Sequence, residues 1–230
     1  MSTVGQPERA TQNRVIALFR DELGYRYLGD WTDRDGNSNI EEGLLTAWLA
    51  KSGYTLAQIS VALYKLRTEA DHPSRTLYSN NQAVYTLLRY GVPVKIEAGQ
   101  VTETVRLIDW QHPEKNDFAI AEEVTLKGNM ERRPDLVLYV NGIALGVLEL
   151  KNSRVSIGDS IRQLLSNQQP EFNEWFFSTV QIVFAGNDSE GLQYGTIGTP
   201  EKYFLKYDAL EVNDSAVKVL GEPTLVVRRI

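Results

Sequence analysis

Residues 132–152 read RRPDLVLYVNGIALGVLELKN and decide the fold. Two apolar runs, residues 134–140 and 143–151, flank the dipeptide Asn141-Gly142. Runs of this length that are rich in Val, Ile and Leu are typical of strands, and Asn-Gly favours a tight hairpin turn because both residues tolerate a positive φ. The stretch therefore predicts two adjacent antiparallel strands of a buried sheet.

Charged side chains lie at the ends of these two predicted strands. Asp135 opens the first strand, and Glu149 and Lys151 close the second. Residues two apart in a strand point to the same face, so Glu149 and Lys151 are neighbours. Two carboxylates beside a lysine suit a hard cation such as Mg²⁺, which takes oxygen ligands and lowers the pKa of a bound water. Charged strand ends are also often simply solvated, so the spacing alone leaves both interpretations open.

The hairpin register tests this interpretation. If Asn141-Gly142 were a plain two-residue loop with regular pairing, Asp135 would pair with Leu148, and Glu149 would lie on the opposite face of the sheet. A bulge of one residue, or a loop of three residues, restores the common face. Gly142 and Gly146 are the residues that permit such an irregularity, which the sequence therefore predicts.

Helical patterns precede this hairpin. A helix is predicted from Pro7 to about Leu23, and a polar loop over residues 30–38. Three short helices follow in residues 39–91 and predict a helical insertion with its own small core. Each has a pair of residues with capping-box spacing at its start, and Gly91 ends the block. The pairs are Asn39 with Glu42, Thr55 with Gln58, and Ser79 with Gln82.

Strand patterns dominate the rest of the chain. A hairpin is predicted at residues 92–97 and 101–109, around Ala98, Gly99 and Gln100, and a further strand at residues 117–126. After the hairpin of residues 134–151, Ser156 and Asp159 predict the start of a helix, and another begins at Pro170. Later strands are expected at residues 180–185, 192–197 and 203–207. The order of elements predicts an α/β domain with a mixed sheet.

Composition excludes several kinds of chemistry. The chain has 230 residues, no cysteine and only two histidines, His72 and His112, so thiolate sites, cysteine nucleophiles and His-rich zinc sites are excluded. The N-terminus MSTVGQPERA is too polar for a signal peptide, and no apolar run approaches the roughly 20 residues that span a membrane. A cytoplasmic protein is therefore expected. The net charge of −6 argues against a stand-alone nucleic-acid clamp.

The sequence also resembles a known family. Its P-D and E-x-K elements match the pattern of the PD-(D/E)xK nuclease superfamily, and longer segments resemble the N-terminal nuclease region of the type I restriction enzyme R (motor) subunit. Those segments are PERATQNRVI, ALYKLRTEA, YTLLRYGVPV, RLIDW, NDFAIAEEVT, RRPDLVLYVNG, LELKNS and AGNDSEGLQYGTI. The resemblance implies a restriction-endonuclease-like mixed sheet over residues 1–230, with the insertion at about 39–91. It also implies ATP-dependent motor domains that lie downstream of this chain.

This resemblance implies the role of each site residue. Asp135 and Glu149 would ligate Mg²⁺, helped by the carbonyl of Leu150, and Lys151 would be the catalytic lysine. Glu8 matches an acidic position of the family that supports the metal site, although a carboxylate is favoured near a helix N-terminus in any case.

A further implied group contacts DNA. Gln163 matches the glutamine of the family's Q-x-x-x-Y element, which contacts DNA or positions the lysine, but Asn167 occupies the place of the tyrosine. Arg132 and Arg133 are candidates for phosphate contacts because they directly precede the P-D element, and a solvated basic pair is the alternative.

The implied activity is that of a type I site-specific deoxyribonuclease that cleaves double-stranded DNA. Its implied partners are the methyltransferase and specificity subunits of the restriction complex. ATP binding is not expected in this chain, because no G-x-x-x-x-G-K-[ST] phosphate loop occurs in it. The segment GNDSEGLQ has the glycine spacing alone, with Leu192 and Gln193 after Gly191, and is predicted to be a turn. The run Trp175, Phe176 and Phe177 is predicted to pack in the core rather than to stack on bases.

Two other functions remain open from the sequence. A catalytically silent docking or regulatory module of a DNA translocase is compatible with the acidic charge and the helical insertion. It would have no reason to gather two carboxylates and a lysine at one point. A structure-selective nuclease of the same superfamily, such as a resolvase or repair enzyme, would prefer branched or single-stranded DNA.

Overall fold

The computed structural model of the chain describes residues 5–97, 99, 101–128 and 130–207. None of the helices in these ranges is long and apolar enough to cross a membrane. A single π-helical turn, Leu18–Glu22, extends the first helix. The α-helices are α1 (Gly5–Ala17), α2 (Glu42–Lys51), α3 (Leu56–Ala70), α4 (Leu77–Tyr90), α5 (Ile157–Asn167) and α6 (Glu174–Phe177).

In the described part of the chain, the strands form one large sheet and one small hairpin. The large sheet has seven strands in the order β1-β4-β5-β6-β7-β8-β9, and β2 pairs with β3. The pairs β1–β4 and β6–β7 are parallel, and the other neighbours are antiparallel, so the predicted mixed sheet is confirmed. The strands are β1 (Arg26–Asp30), β2 (Val92–Val94), β3 (Glu103–Val105), β4 (Phe118–Glu122), β5 (Leu136–Val140), β6 (Ile143–Lys151), β7 (Ile182–Asn187), β8 (Gly191–Gly195) and β9 (Leu205–Tyr207).

Helices pack on both faces of the large sheet. One apolar layer lies on the face of β5 and β6 that carries Leu138 and Leu148. There α2, α3, α4 and the small hairpin pack against the sheet. The other layer combines the face that carries Val137 and Val147 with α5 and α6. The predicted helical insertion therefore lies between β1 and β4. The expectation that it has a core of its own is wrong, because its buried leucines belong to the layer shared with the sheet.

The predicted helix starts have mixed outcomes. Thr55 and Gln58 form the predicted capping box at α3. Ser156 caps α5 by accepting a hydrogen bond from Gly158 N, although the pair with Asp159 does not form a reciprocal box.

Two other predicted starts are wrong. No side chain caps α2, which begins at Glu42, so the pair with Asn39 is absent. At α4 the capping residue is Thr76, which accepts a hydrogen bond from Ser79 N. Ser79 itself therefore lies within the first turn of α4. Gly91, with φ of 85°, ends this helix as predicted.

Other differences concern elements with weak sequence signals. β1 was not predicted, because only five residues form it and its largely exposed side chains give no apolar pattern. β4 ends earlier than predicted because Glu123 takes a positive φ of 51°. The helix expected at Pro170 begins at Glu174. Phe176 and Phe177 are fully buried, which confirms that this aromatic run packs in the core. The predicted hairpin loop at Ala98 to Gln100 lies partly outside the described residues.

The β5–β6 hairpin contains the predicted bulge. Asn141 and Gly142 form a two-residue turn with φ of 54° and 86°. Tyr139 pairs with Ala144 but Leu138 pairs with Gly146, so Leu145 is the extra residue. Because of this shift, Leu136 pairs with Leu148 rather than with Val147. Side chains beyond the bulge therefore change face, and Glu149 comes to lie on the face that Asp135 shares with Val137.

Candidate active site

Asp135 is held from both neighbouring strands. Its Oδ2 accepts a 2.6 Å hydrogen bond from the backbone N–H of Leu150 on β6. Its backbone carbonyl accepts hydrogen bonds from Glu123 N at 2.9 Å and from Gln12 Nε2 at 3.3 Å. The position of this carboxylate is therefore fixed by β6, by the end of β4 and by α1.

Glu149 is fully buried on β6 and is held by two side-chain amides of α5. Gln163 Nε2 donates to Glu149 Oε2 at 2.9 Å, and Asn167 Nδ2 lies 3.4 Å from Oε1. Gln163 and Asn167 were both predicted to contact DNA. Asn167 is itself fully buried, and in this structure its side chain contacts Glu149. A direct contact with DNA would require an exposed side chain.

Lys151 points to the same face and contacts α1. Its Nζ donates a hydrogen bond to Glu8 Oε1 at 3.2 Å, and both side chains are partly exposed. The acidic residue that was expected to support the metal is therefore the ion-pair partner of the lysine. Asp135, Glu149 and Lys151 thus lie at the adjoining ends of β5 and β6, as predicted, with α1 and α5 on either side.

The electrostatics of the site follow from its burial. Burial raises the pKa of Asp135 to about 6, even though the Leu150 N–H and the charge of Lys151 act to lower it. Burial, together with the negative charge of Asp135, raises the pKa of Glu149 well above its usual range. Burial alone would lower the pKa of Lys151, but the charges of Asp135, Glu149 and Glu8 raise it instead. Asp135, Glu149 and Glu8 therefore outnumber Lys151, and acidic groups exceed basic groups among these side chains.

The donor set fits a magnesium ion. No group of three or more His, Asp and Glu side chains that suits a metal gathers within the part of the chain that the structure describes. Asp135 and Glu149 instead offer two carboxylates, and Leu150 lies between the second of these and Lys151. Mg²⁺ is commonly held by one or two carboxylates, with waters and phosphate oxygens completing its shell. An ion placed between the fully buried Glu149 carboxylate and the partly buried Asp135 carboxylate would also compensate the charge that burial makes costly.

The two arginines that were expected to contact phosphate have partners within the chain. The guanidinium of Arg132 stacks 4.0 Å above the ring of Phe172. Arg133 Nε forms an ion pair of 2.8 Å with Glu123 Oε2, and the arginine side chain remains half exposed. Neither residue is a free cation directed at solvent in this structure.

A buried polar group beside the site had not been recognised in the sequence. Glu122 is 4% exposed and is paired with Arg9 at 2.6 Å. Gln12, which is 3% exposed, donates to Glu122 at 3.3 Å and to Glu123 at 3.1 Å. Glu122 is the last residue of β4 and Glu123 follows it, but no spacing rule connects these acids to a glutamine more than a hundred residues earlier.

Comparison with known proteins agrees with this architecture. The family described as "Type I restriction enzyme R protein N terminus" matches residues 5–202. The chain belongs to this family. The seven-stranded mixed sheet flanked by helices is accordingly a restriction-endonuclease-like fold.

Curated relatives carry related names. The putative type I restriction enzyme MjaIXP endonuclease subunit of Methanocaldococcus jannaschii is 29% identical over 219 residues, which cover 88% of this chain and 20% of that protein. The putative MjaVIIIP endonuclease subunit of the same organism is 31% identical over 147 residues, which cover 63% of this chain and 14% of that protein. The type I restriction enzyme HindI endonuclease subunit of Haemophilus influenzae is 39% identical over 80 residues, which cover 33% of this chain and 8% of that protein. The chain thus spans a fifth or less of the length of these relatives.

Proposed function

We propose that this chain is the Mg²⁺-dependent endonuclease domain of a type I restriction enzyme and hydrolyses phosphodiester bonds of double-stranded DNA. The observation that carries the proposal is the bulge at Leu145, which brings Asp135 and Glu149 to one face of the sheet. Membership of the family of R protein N termini supports the same reading. The proposed partners are DNA and the methyltransferase and specificity subunits of the complex, in the cytoplasm. ATP would act only through motor domains, and not through this active site.

Each residue of the site has a proposed task. Asp135 and Glu149 would hold the metal ion, with the Leu150 carbonyl as a further oxygen ligand. When bound, Mg²⁺ neutralises charge on the scissile phosphate and lowers the pKa of a coordinated water. Lys151 would orient the attacking water or stabilise the charge that develops on the phosphate. Glu8 fixes the ammonium group of Lys151 for this task.

The amides of α5 would keep the second metal ligand in place. Gln163 and Asn167 bind different oxygens of Glu149, so the carboxylate cannot rotate freely. Asn167 stands where the family pattern has tyrosine. We propose that in this chain it acts by positioning Glu149, and that DNA contact falls to more exposed residues.

The two alternatives differ in what they predict. Glu149 is fully buried, and burial together with the charge of Asp135 raises its pKa. Without an ion this arrangement costs stability, and a silent docking module would gain nothing from it. This feature favours a metal-dependent enzyme. A structure-selective nuclease would use the same site, and only its preference for branched or single-stranded substrates over intact duplex would identify it.

The proposal is tested by DNA cleavage with Mg²⁺ in the complete R subunit, assembled with its partners. We expect Asp135→Ala, Glu149→Ala and Lys151→Ala each to reduce cleavage by at least about a hundredfold. Glu42→Ala is the matched control, since Glu42 is an exposed, ion-paired acid on α2, and it should cleave as the wild type does. ATP hydrolysis by the same preparations verifies that the complexes are assembled. Cleavage that survives all three substitutions would reject the proposal.

A further inference from the structure

We infer that the turn formed by residues 187–190 between β7 and β8 is a positioning element of the active site, which holds both the loop after Lys151 and helix α1 in place. The sequence of this turn is Asn187, Asp188, Ser189 and Glu190. The sequence predicts that GNDSEGLQ contains a turn, and the structure confirms this. No function of the turn was predicted from the sequence. The inference rests on the proposed function and deepens it.

The turn begins beside the catalytic lysine. In the parallel pair β6–β7, Lys151 is the partner of Asn187, so the two strands end together. Asn187 is 6% exposed, and its Oδ1 accepts hydrogen bonds from Ser189 N at 3.2 Å and Glu190 N at 2.6 Å. These bonds stabilise the turn from within. Asn187 Nδ2 also donates to Glu190 Oε1 at 3.0 Å, so the side chains of the turn hold one another while they reach partners outside it.

One set of contacts reaches the loop that connects Lys151 to α5. Asn187 Nδ2 donates to the carbonyl of Val155 at 2.9 Å, and Ser189 Oγ donates to the carbonyl of Ser153 at 3.2 Å. Glu190 Oε1 accepts a 2.9 Å hydrogen bond from Ile157 N, at the first turn of α5. The same bond acts to lower the pKa of Glu190, so the carboxylate is ionised where it holds the helix start. This loop is thus held at several points along its length.

A second set of contacts reaches α1 on the other side of the site. Asp188 Oδ2 accepts a 2.9 Å hydrogen bond from Thr11 Oγ1, and its Oδ1 forms an ion pair with Arg14. Thr11 is 4% exposed, so this bond is sheltered from water. Thr11 lies on α1, which also carries Glu8 and Gln12. Glu8 is the partner of Lys151, and Gln12 donates a hydrogen bond to the carbonyl of Asp135.

A turn that only connected two strands would need none of these outward contacts. Here four consecutive side chains reach partners in two segments that are distant in sequence, and both segments flank the same three site residues. Catalytic groups work within tolerances of about half an ångström, and a misplacement of about 1 Å can cost a hundredfold in rate. The 187–190 turn supplies such a constraint from outside the site, without itself touching the reacting atoms.

The test compares disruptive and conservative substitutions in the assembled R subunit. Asp188→Ala and Glu190→Ala are expected to lower kcat for DNA cleavage about tenfold each while leaving KM for DNA unchanged. Asp188→Asn keeps an acceptor for Thr11, and Glu190→Gln keeps one for Ile157 N, so each should restore most of the rate. Thr199→Ala is the matched control, because Thr199 Oγ1 caps a separate turn after β8 and should not change kcat. The thermal melting temperature is recorded for every variant.

The outcomes separate this inference from the proposed function. If Asp188→Ala and Glu190→Ala cleave at the wild-type rate while Asp135→Ala is inactive, the positioning role is overturned and the nuclease assignment stands. If Asp135→Ala also cleaves normally, the proposed function fails instead. Should Asp188→Ala not fold, Thr11→Val decides, since it removes the same hydrogen bond from the side of α1. A wild-type kcat in folded Thr11→Val would overturn the inference.

Discussion

The backbone N–H of Leu150 donates a 2.6 Å hydrogen bond to Asp135 Oδ2, which ties one acidic residue of the site to the strand that carries the other two groups. Leu150 lies between Glu149 and Lys151, so this one contact fixes the spacing of all three residues. The bulge at Leu145 shifts the register so that Leu136 pairs with Leu148, and Asp135 precedes Leu136 at this end of the hairpin. The register of a hairpin thus determines whether the carboxylates share a face, and with it whether a metal ion can bind between them.

We predict that Asp135→Asn stabilises the metal-free protein at pH 8. The pKa of Asp135 is raised from 3.8 to about 6 by burial, against the opposing charge of Lys151 and with the added repulsion of Glu123 and Glu8. The folded state therefore keeps a proton that the unfolded chain has already released. This contribution to stability is complete below pH 4 and is lost as the pH rises through 6, to a total of about 3 kcal/mol at most.

Urea unfolding in EDTA between pH 4 and pH 8 measures this effect. The wild-type free energy of unfolding should fall over that range by more than that of Asp135→Asn. Addition of Mg²⁺ should raise the stability of the wild type at pH 8 and leave the variant largely unaffected, because the variant lacks a metal ligand. Identical pH profiles of the two proteins in EDTA would contradict the prediction.

We predict that Gly142→Ala destabilises the fold by about 3 kcal/mol or more. Gly142 has a φ of 86°, and a Cβ atom there would lie 2.7 Å from Leu44 Cβ and 2.8 Å from Leu45 N. The strain of a left-handed residue adds about 1–2 kcal/mol to the cost of this overlap with α2. Thermal or urea unfolding measures the loss.

Gly36→Ala is the matched control for this substitution. Gly36 also has a positive φ, of 74°, but nothing lies within 4 Å of the added Cβ. It should therefore show only the backbone strain, about 1–2 kcal/mol. Equal losses in the two variants would show that close packing against α2 does not constrain the β5–β6 turn.

The sequence predicted the parts of the site that depend on local rules. Two apolar runs and the turn chemistry of Asn141-Gly142 located the hairpin, and the requirement that Asp135 and Glu149 share a face predicted a bulge. Gly146 was named as a residue that permits it, and the extra residue is its neighbour Leu145. These inferences succeeded because strand parity and turn geometry are properties of a few adjacent residues.

Other features depend on contacts between distant segments and had no local signal. Gln12 lies on a polar helix face, which is ordinarily solvated, yet it is buried against Glu122 and Glu123 from the far end of β4. The pairing of Arg133 with Glu123 likewise had no signal in the sequence, and the proposed phosphate contact of this half-exposed residue stays a prediction. Tertiary packing determines which polar side chains are buried against partners. A single sequence does not show which distant segments pack together.

We predict that Glu8 acts on Lys151 and not directly on the metal ion. Its Oε1 accepts a 3.2 Å hydrogen bond from Lys151 Nζ, which sets the direction of the lysine side chain. Glu8→Ala should lower kcat for cleavage about tenfold, whereas Glu8→Gln keeps an acceptor and should lower it less. The dissociation constant for Mg²⁺, measured by calorimetry, should be the same in both variants and the wild type.

Glu149→Gln is the reference for this comparison, since loss of a true ligand should weaken Mg²⁺ binding by at least about tenfold. If Glu8→Ala weakens Mg²⁺ binding as much as Glu149→Gln does, Glu8 contributes to the metal shell and its contact with Lys151 is secondary.

We predict that Arg154 supplies a phosphate contact near the site. It lies three residues after Lys151, is exposed, and forms no ion pair with the residues that the structure describes. Asn152 Oδ1 accepts a 2.9 Å hydrogen bond from Arg154 N, which holds the backbone of this exposed residue. Arg154→Ala should weaken duplex binding at every sequence, and should reduce the slope of log K against log salt by about 0.9.

Binding is measured over a range of KCl concentrations in the assembled enzyme, with Ca²⁺ replacing Mg²⁺ to limit cleavage. Arg162→Ala is the matched control, because Arg162 is equally surface-exposed on the adjoining helix but is paired with Asp159 and Glu201. Its salt slope should equal that of the wild type. An arginine whose charge is already balanced by carboxylates neutralises no phosphate, whereas an arginine that contacts a phosphate releases counterions condensed on the DNA. An unchanged slope in Arg154→Ala would therefore place the DNA backbone elsewhere on the domain.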